Sequence, residues 1–159
     1  MGTVSKEDIV RFRKQIIAVH EQIIAVSGGL QGVRDEGGLD HALYTCLTKM
    51  QTKPHDVFRN AAETYQLFAV RHYFNDGNKR TAHMFVKLYL LSLDIHLKAH
   101  YQDAIDFIIA IADNKKSVPE IESWLKENSS GIDSLTDYVK EFEDDVEEMK
   151  KYMDTQNSN

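Results

Sequence analysis

Apolar residues recur every three or four positions along nearly the whole chain, and that spacing is what most restricts the fold. Ile9, Phe12, Ile16, Val19, Ile23 and Val26 form one stripe, and Leu39, Ala42, Leu43, Cys46, Leu47 and Met50 form a second. Phe58, Ala61, Ala62, Tyr65, Phe68 and Ala69 form a third. Each marks one face of an amphipathic helix. No segment alternates with period two for long enough to predict a sheet. The expected fold class is all-α, with a short hairpin possible near residues 28–38.

Local signals set the helix ends. Ser5 with Asp8, and Ser117 with Glu120, are capping-box pairs, each satisfying two backbone donors at a helix start. Gly28-Gly29 stops the first helix. Pro54 lies in the break before the third. From Ala82 to Leu93 the chain is apolar around most of a helix, as expected of one at the centre of a core. Ile105, Ile108, Ile109 and Ala112 predict another helix, and Ile121, Trp124 and Leu125 a short one.

Beyond Ser129-Ser130-Gly131, which reads as a linker, Ile132, Leu135, Val139, Phe142, Val146, Met149 and Met153 keep heptad spacing. Residues 132–154 hold nine acids and three bases, which accounts for the whole net charge of −6. The remainder is neutral. This balance argues against non-specific nucleic-acid binding, which needs clustered positive charge. The domain expectation is a catalytic unit over 1–128, followed by a linker and an acidic helix over 129–159. That helix is expected to pack on its own domain, to join copies of the chain as a homo-oligomer, or to cover the site in cis. The absence of a long apolar window argues against membrane insertion. The single cysteine, Cys46, excludes an internal disulfide and fits a reducing, cytoplasmic setting.

The chemistry concentrates in His72-Tyr73-Phe74-Asn75-Asp76-Gly77-Asn78-Lys79-Arg80. Asp76-Gly77 is a turn signal, and Asn78 or Asp76 can cap the helix that follows. Lys79 and Arg80 then fall in its first turn, against the positive end of the helix dipole. Free amides, the dipole and two cations describe an anion site, and phosphate is its natural occupant. Asp76 is a hard oxygen ligand suited to Mg²⁺. His72 can act as a general base. A base, a magnesium carboxylate and a phosphate cradle within nine residues fit transfer of a phosphate-containing group to a hydroxyl.

This segment resembles the Fic signature His-Pro-Phe-x-Asp/Glu-Gly-Asn-Gly-Arg, with Tyr73 in place of proline and Lys79 in place of the second glycine. Lys79-Arg80-Thr81-Ala82 is similar to the Doc-type form of the motif. His20, residues 28–35 and residues 39–43 also resemble the Doc N-terminal pattern, so the likeness spans roughly residues 5–128. The resemblance implies a Fic-type helical bundle with a central motif helix. It implies His72 as catalytic base and Asp76 as the magnesium-associated acid. Gly77, Asn78, Lys79 and Arg80 would bind the nucleotide, and Phe74 would be a buried anchor. For the Doc type it implies transfer of the γ-phosphate of ATP, elongation factor Tu as target, translation arrest, and control by an antitoxin. For other Fic enzymes it implies AMP transfer. A catalytically silent binder of nucleotide or partner is the reading from a different class.

Other features carry weaker expectations. Ser123-x-x-x-Glu127-Asn128 matches the inhibitory Fic pattern, but also fits an ordinary last helix with Trp124 and Leu125 in the core. Arg34 and Asp35 suit either target contacts or a turn-stabilising ion pair. His55-Asp56, with His20, would suit an HD-type metal phosphohydrolase, a reading that leaves Lys79 and Arg80 without a role.

Overall fold

The computed structural model describes residues 2–131 and 135–157. Its helices are α1 (Lys6–Ser27), α2 (Glu36–Thr52), α3 (Val57–Val70), α4 (Asn78–Leu91), α5 (Tyr101–Ala112), α6 (Val118–Glu127) and α7 (Leu135–Asn157). Two short strands, β1 (Ile95–Leu97) and β2 (Ser129–Gly131), complete it. The all-α architecture is as expected.

Both capping boxes form. Ser5 Oγ accepts from Asp8 N at 3.1 Å while Asp8 Oδ2 accepts from Ser5 N at 3.0 Å. Ser117 and Glu120 repeat the exchange at the start of α6.

The core is built around α3 and α4. Helix α3 packs against α2, α4, α5 and α6, and α4 against α1, α3, α5 and β1. Tyr65, Phe68, Met84, Val86 and Leu90 are essentially sealed from water. Each buried side chain of this size contributes about 1.5–3 kcal/mol. Helix α4 is buried around most of its circumference, so its polar residues need partners. Tyr65 Oη lies 2.7 Å from His83 Nδ1. Lys87 pairs with Asp145 of α7.

Two expectations are corrected. Ser129-Ser130-Gly131 is not a free linker: it pairs antiparallel with β1, Ile95 opposite Gly131 and Leu97 opposite Ser129. This brings the chain that follows α6 back beside the segment that follows α4. No hairpin forms near 28–38 either. The loop there makes a single antiparallel bridge, Val33 to Phe74, so its backbone pairs with the motif rather than with itself.

Helix α7 packs against α1 and α5. Val146 and Met149 are buried, whereas Val139 is exposed. The heptad stripe is therefore used within the chain from Phe142 onward. Ile132 and the side chain of Leu135, the first members of that stripe, lie outside the described residues. Among the described residues no helix is long and apolar enough to cross a membrane.

Candidate active site

Helix α3 ends at Val70, and Arg71 turns the chain into an extended conformation. The backbone from His72 to Asn75 then lies against the loop after α1. Arg34 N donates to Tyr73 O at 2.7 Å and Asn75 N to Gly32 O at 3.0 Å. Asn75 Nδ2 adds a bond to Gln31 O at 3.0 Å. Phe74 is 1% exposed and stacks on the His20 ring, with centroids 4.1 Å apart and planes inclined by 10°. It is the anchor of the loop.

Asn78 closes the turn. Its Oδ1 accepts from Phe74 N and its Nδ2 donates to Phe74 O, both at 3.0 Å. Its side chain is thus engaged by the loop, and its backbone amide is what it can present to a ligand. The N-cap of α4 is Gly77, in the left-handed region at φ 72°, with no side-chain cap. The expectation of an Asn78 or Asp76 cap is corrected: Asn78 is already helical, and Asp76 bonds elsewhere. A Cβ at Gly77 would stand 3.0 Å from Ile24 Cδ1, so both its backbone angle and its surroundings favour glycine. The first turn of α4 is left uncapped, with its amides at the positive end of the dipole.

Asp76 is held from several sides. Its carbonyl accepts from His20 Nε2 at 2.8 Å, which fixes the proton of that imidazole on Nε2. Oδ1 accepts from Gly77 N at 2.7 Å and lies 3.6 Å from Arg80 Nη2. Oδ2 accepts from Leu30 N at 3.3 Å. Gly29 fits under this carboxylate because a Cβ there would come within 2.6 Å of Oδ2. His20 is buried, and burial pulls its pKa below the usual histidine range, against the opposing bond to Asp76. It serves as a neutral clamp for the turn.

Arg80 is 4% exposed. Its Nη1 donates to Ser27 Oγ at 2.6 Å and to Gly28 O at 2.8 Å. Burial lowers its pKa, and the Asp76 carboxylate opposes that shift. Lys79 and His72 are exposed.

His72, Asp76, Gly77, Asn78, Lys79 and Arg80 all border one cavity of about 560 Å³. The motif residues singled out in the sequence therefore converge on a single space, at the uncapped end of α4. Sequence reasoning missed the rest of the wall, which comes from Tyr101 and Asp113 at the two ends of α5 and from Tyr152 and Met153 of α7. It also missed Ser27 and Gly28 as the partners that position Arg80.

The remaining candidates lie outside this arrangement. Glu127 is exposed at the end of α6, where Leu125 is buried and Trp124 stacks on Phe107 at 4.6 Å. The carboxylate beside Arg80 is Asp76. Asp35 caps α2 by accepting from Gly38 N at 2.8 Å, and among the described residues no ion pair joins it to Arg34. Among the described residues, the group of three side chains close enough to hold an ion is His100, Asp145 and Glu148, and His20, His55 and Asp56 are not part of it.

The family model described as Fic/DOC matches residues 12–90. This stretch is a Fic/DOC family domain. The match runs from α1 through nearly all of α4 and so contains the anchor, the turn and the uncapped helix start. Helices α5, α6 and α7 lie beyond it. Fic/DOC membership places the chain, in general terms, among ATP-using protein transferases. No curated protein matches it.

Proposed function

We propose that this protein transfers the γ-phosphate of ATP to a hydroxyl of a protein, in the manner of Doc-type toxins. The observation that carries the reading is the shared cavity, which brings an exposed imidazole, a carboxylate, two cations and an uncapped helix start to one space. The uncapped amides of α4 and the Lys79 ammonium suit the polyphosphate. Arg80, held by Ser27 and Gly28, sets the charge beneath it. His72 takes the proton from the attacking hydroxyl. The new oxygen–phosphorus bond forms as the bond from the γ-phosphorus to its bridging oxygen breaks, and ADP leaves. Positioning and charge supply most of the rate enhancement in such reactions.

Asp76 fits a magnesium ion. Its side chain is 40% exposed, and one oxygen is met only by a long amide bond, so water could fill the other coordination positions. Bound there, the ion would neutralise phosphate charge.

Lys79 favours phosphoryl over AMP transfer. Glycine at this position would let the backbone approach the phosphates closely, whereas a lysine crowds that pose and can neutralise a terminal phosphate. AMP transfer, in which the hydroxyl attacks the α-phosphorus and pyrophosphate leaves, is the alternative. A silent nucleotide- or partner-binding module ranks below both.

By the same resemblance the target is a translation factor, elongation factor Tu, and the setting is the cytoplasm. The partner is an antitoxin chain. Mass spectrometry of translation factors incubated with the enzyme and ATP, beside a His72→Ala variant, tests this reading. A phosphate adduct present only with the active enzyme is expected. An adduct that persists in the variant, or none on any translation factor, would sink it.

A further inference from the structure

The family match ends in α4, yet the far C-terminal helix borders the same cavity as the motif. Two observations say that α7 is a built part of this domain. Asp145 is fully buried between Lys87 of α4 and the α5 start, accepting from Tyr101 N at 2.9 Å. Met149, one turn on, is also fully buried. One turn further, Tyr152 meets Tyr101 edge to face, with centroids 6.4 Å apart and planes inclined by 75°. Tyr152 and Met153 then face the cavity opposite in character to its motif side: aromatic rings and a thioether rather than amides and cations.

A helix in this position could obstruct the site or build it. With α7 in place the cavity still measures about 560 Å³, a size ordinary for small-molecule sites. Glu141, Asp145 and Glu148 of α7 pair with Lys87, His96 and His100.

We propose that Tyr152 and Met153 are substrate-contacting residues that, with Tyr101, form the wall receiving the flat nucleobase of the bound nucleotide. The α4 start receives its phosphates. The inference rests on the nucleotide reading of the cavity. Stacking on an aromatic side chain is tolerant of base identity, and a methionine thioether adds a polarisable contact. The wall is therefore expected to recognise that a base is present more than which base it is.

Calorimetric binding of ATP and of inorganic tripolyphosphate to the full chain tests this. Tyr152→Ala should weaken ATP about tenfold, the scale of one lost stacking contact. Tripolyphosphate affinity should change by less than about twofold, and Tyr152→Phe should bind ATP like the wild type. Met153→Ala should weaken ATP in the same selective way. Equal losses for both ligands would mean a structural role and overturn the proposal. So would unchanged ATP binding, or tighter binding, which would mean that α7 obstructs. If the wild type bound neither ligand, the nucleotide reading itself would fall and this inference with it.

Discussion

Asp145→Asn should strongly destabilise the protein. The carboxylate is fully buried, and it pairs with Lys87, whose side chain is 5% exposed. Asparagine keeps the volume and the acceptor for Tyr101 N but leaves the ammonium without its closest counter-charge. Removing one partner of a buried pair costs about 3–5 kcal/mol. Glu141, 3.8 Å from Lys87 Nζ, offsets part of that, so a net loss of about 3 kcal/mol is expected. For a chain of this size that lowers Tm by roughly 6–12 °C. Lys87→Met combined with Asp145→Asn removes both charges and should recover most of the loss, because a buried pair replaced as a unit is often nearly neutral. Thermal and urea unfolding of the wild type, both singles and the double variant complete the cycle. A single-variant loss below about 1 kcal/mol, with no recovery in the double, would refute the claim that this pair docks α7.

Other consequences are checked more simply. His72→Ala should lower transfer by about 10²–10⁴-fold while leaving Tm nearly unchanged, since the side chain is exposed; a large Tm change would point to a structural role. Lys79→Gly should raise AMP transfer relative to phosphate transfer, read with doubly labelled ATP. His83 is fully buried, and desolvation lowers its pKa from 6.5 to about 4. The unfolded chain then binds the proton more readily, so this stabilisation is complete above about pH 6.5 and is lost as pH falls toward 4. Thermal melts should decline across that window, and His83→Asn should flatten the decline; an unchanged slope would contradict the assignment.

Much of the fold can be read from periodicity because the helices are long and their stripes clean. Ser5 with Asp8 and Ser117 with Glu120 were visible because a capping box is a local pattern. The two strands were not, since three residues each cannot display alternation, and Ser129-Ser130 has the composition of a linker. Lys87 and Asp145 are 58 positions apart, and neither residue signals that the other will be buried beside it. The acidic stripe of α7 was legible, but its partner surface was not. At the site, the motif residues were apparent because two cations at a helix start run against its dipole. The surrounding parts left no comparable trace. Ser27 and Gly28 look like a plain helix end, yet they hold Arg80. His20 stands out through its likeness to the Doc N-terminal pattern, but nothing in the sequence says that it fixes the Asp76 carbonyl. Tyr101 and Tyr152 join the cavity only through tertiary packing.

The central claim is that the cavity at the start of α4 directs the γ-phosphate of ATP onto a protein hydroxyl. Incubating the purified protein with a cell extract and either γ-labelled or α-labelled ATP tests it most directly. Label should pass to protein from the γ position, and not in the His72→Ala variant. Transfer from the α position alone would contradict the claim and assign the site to AMP transfer.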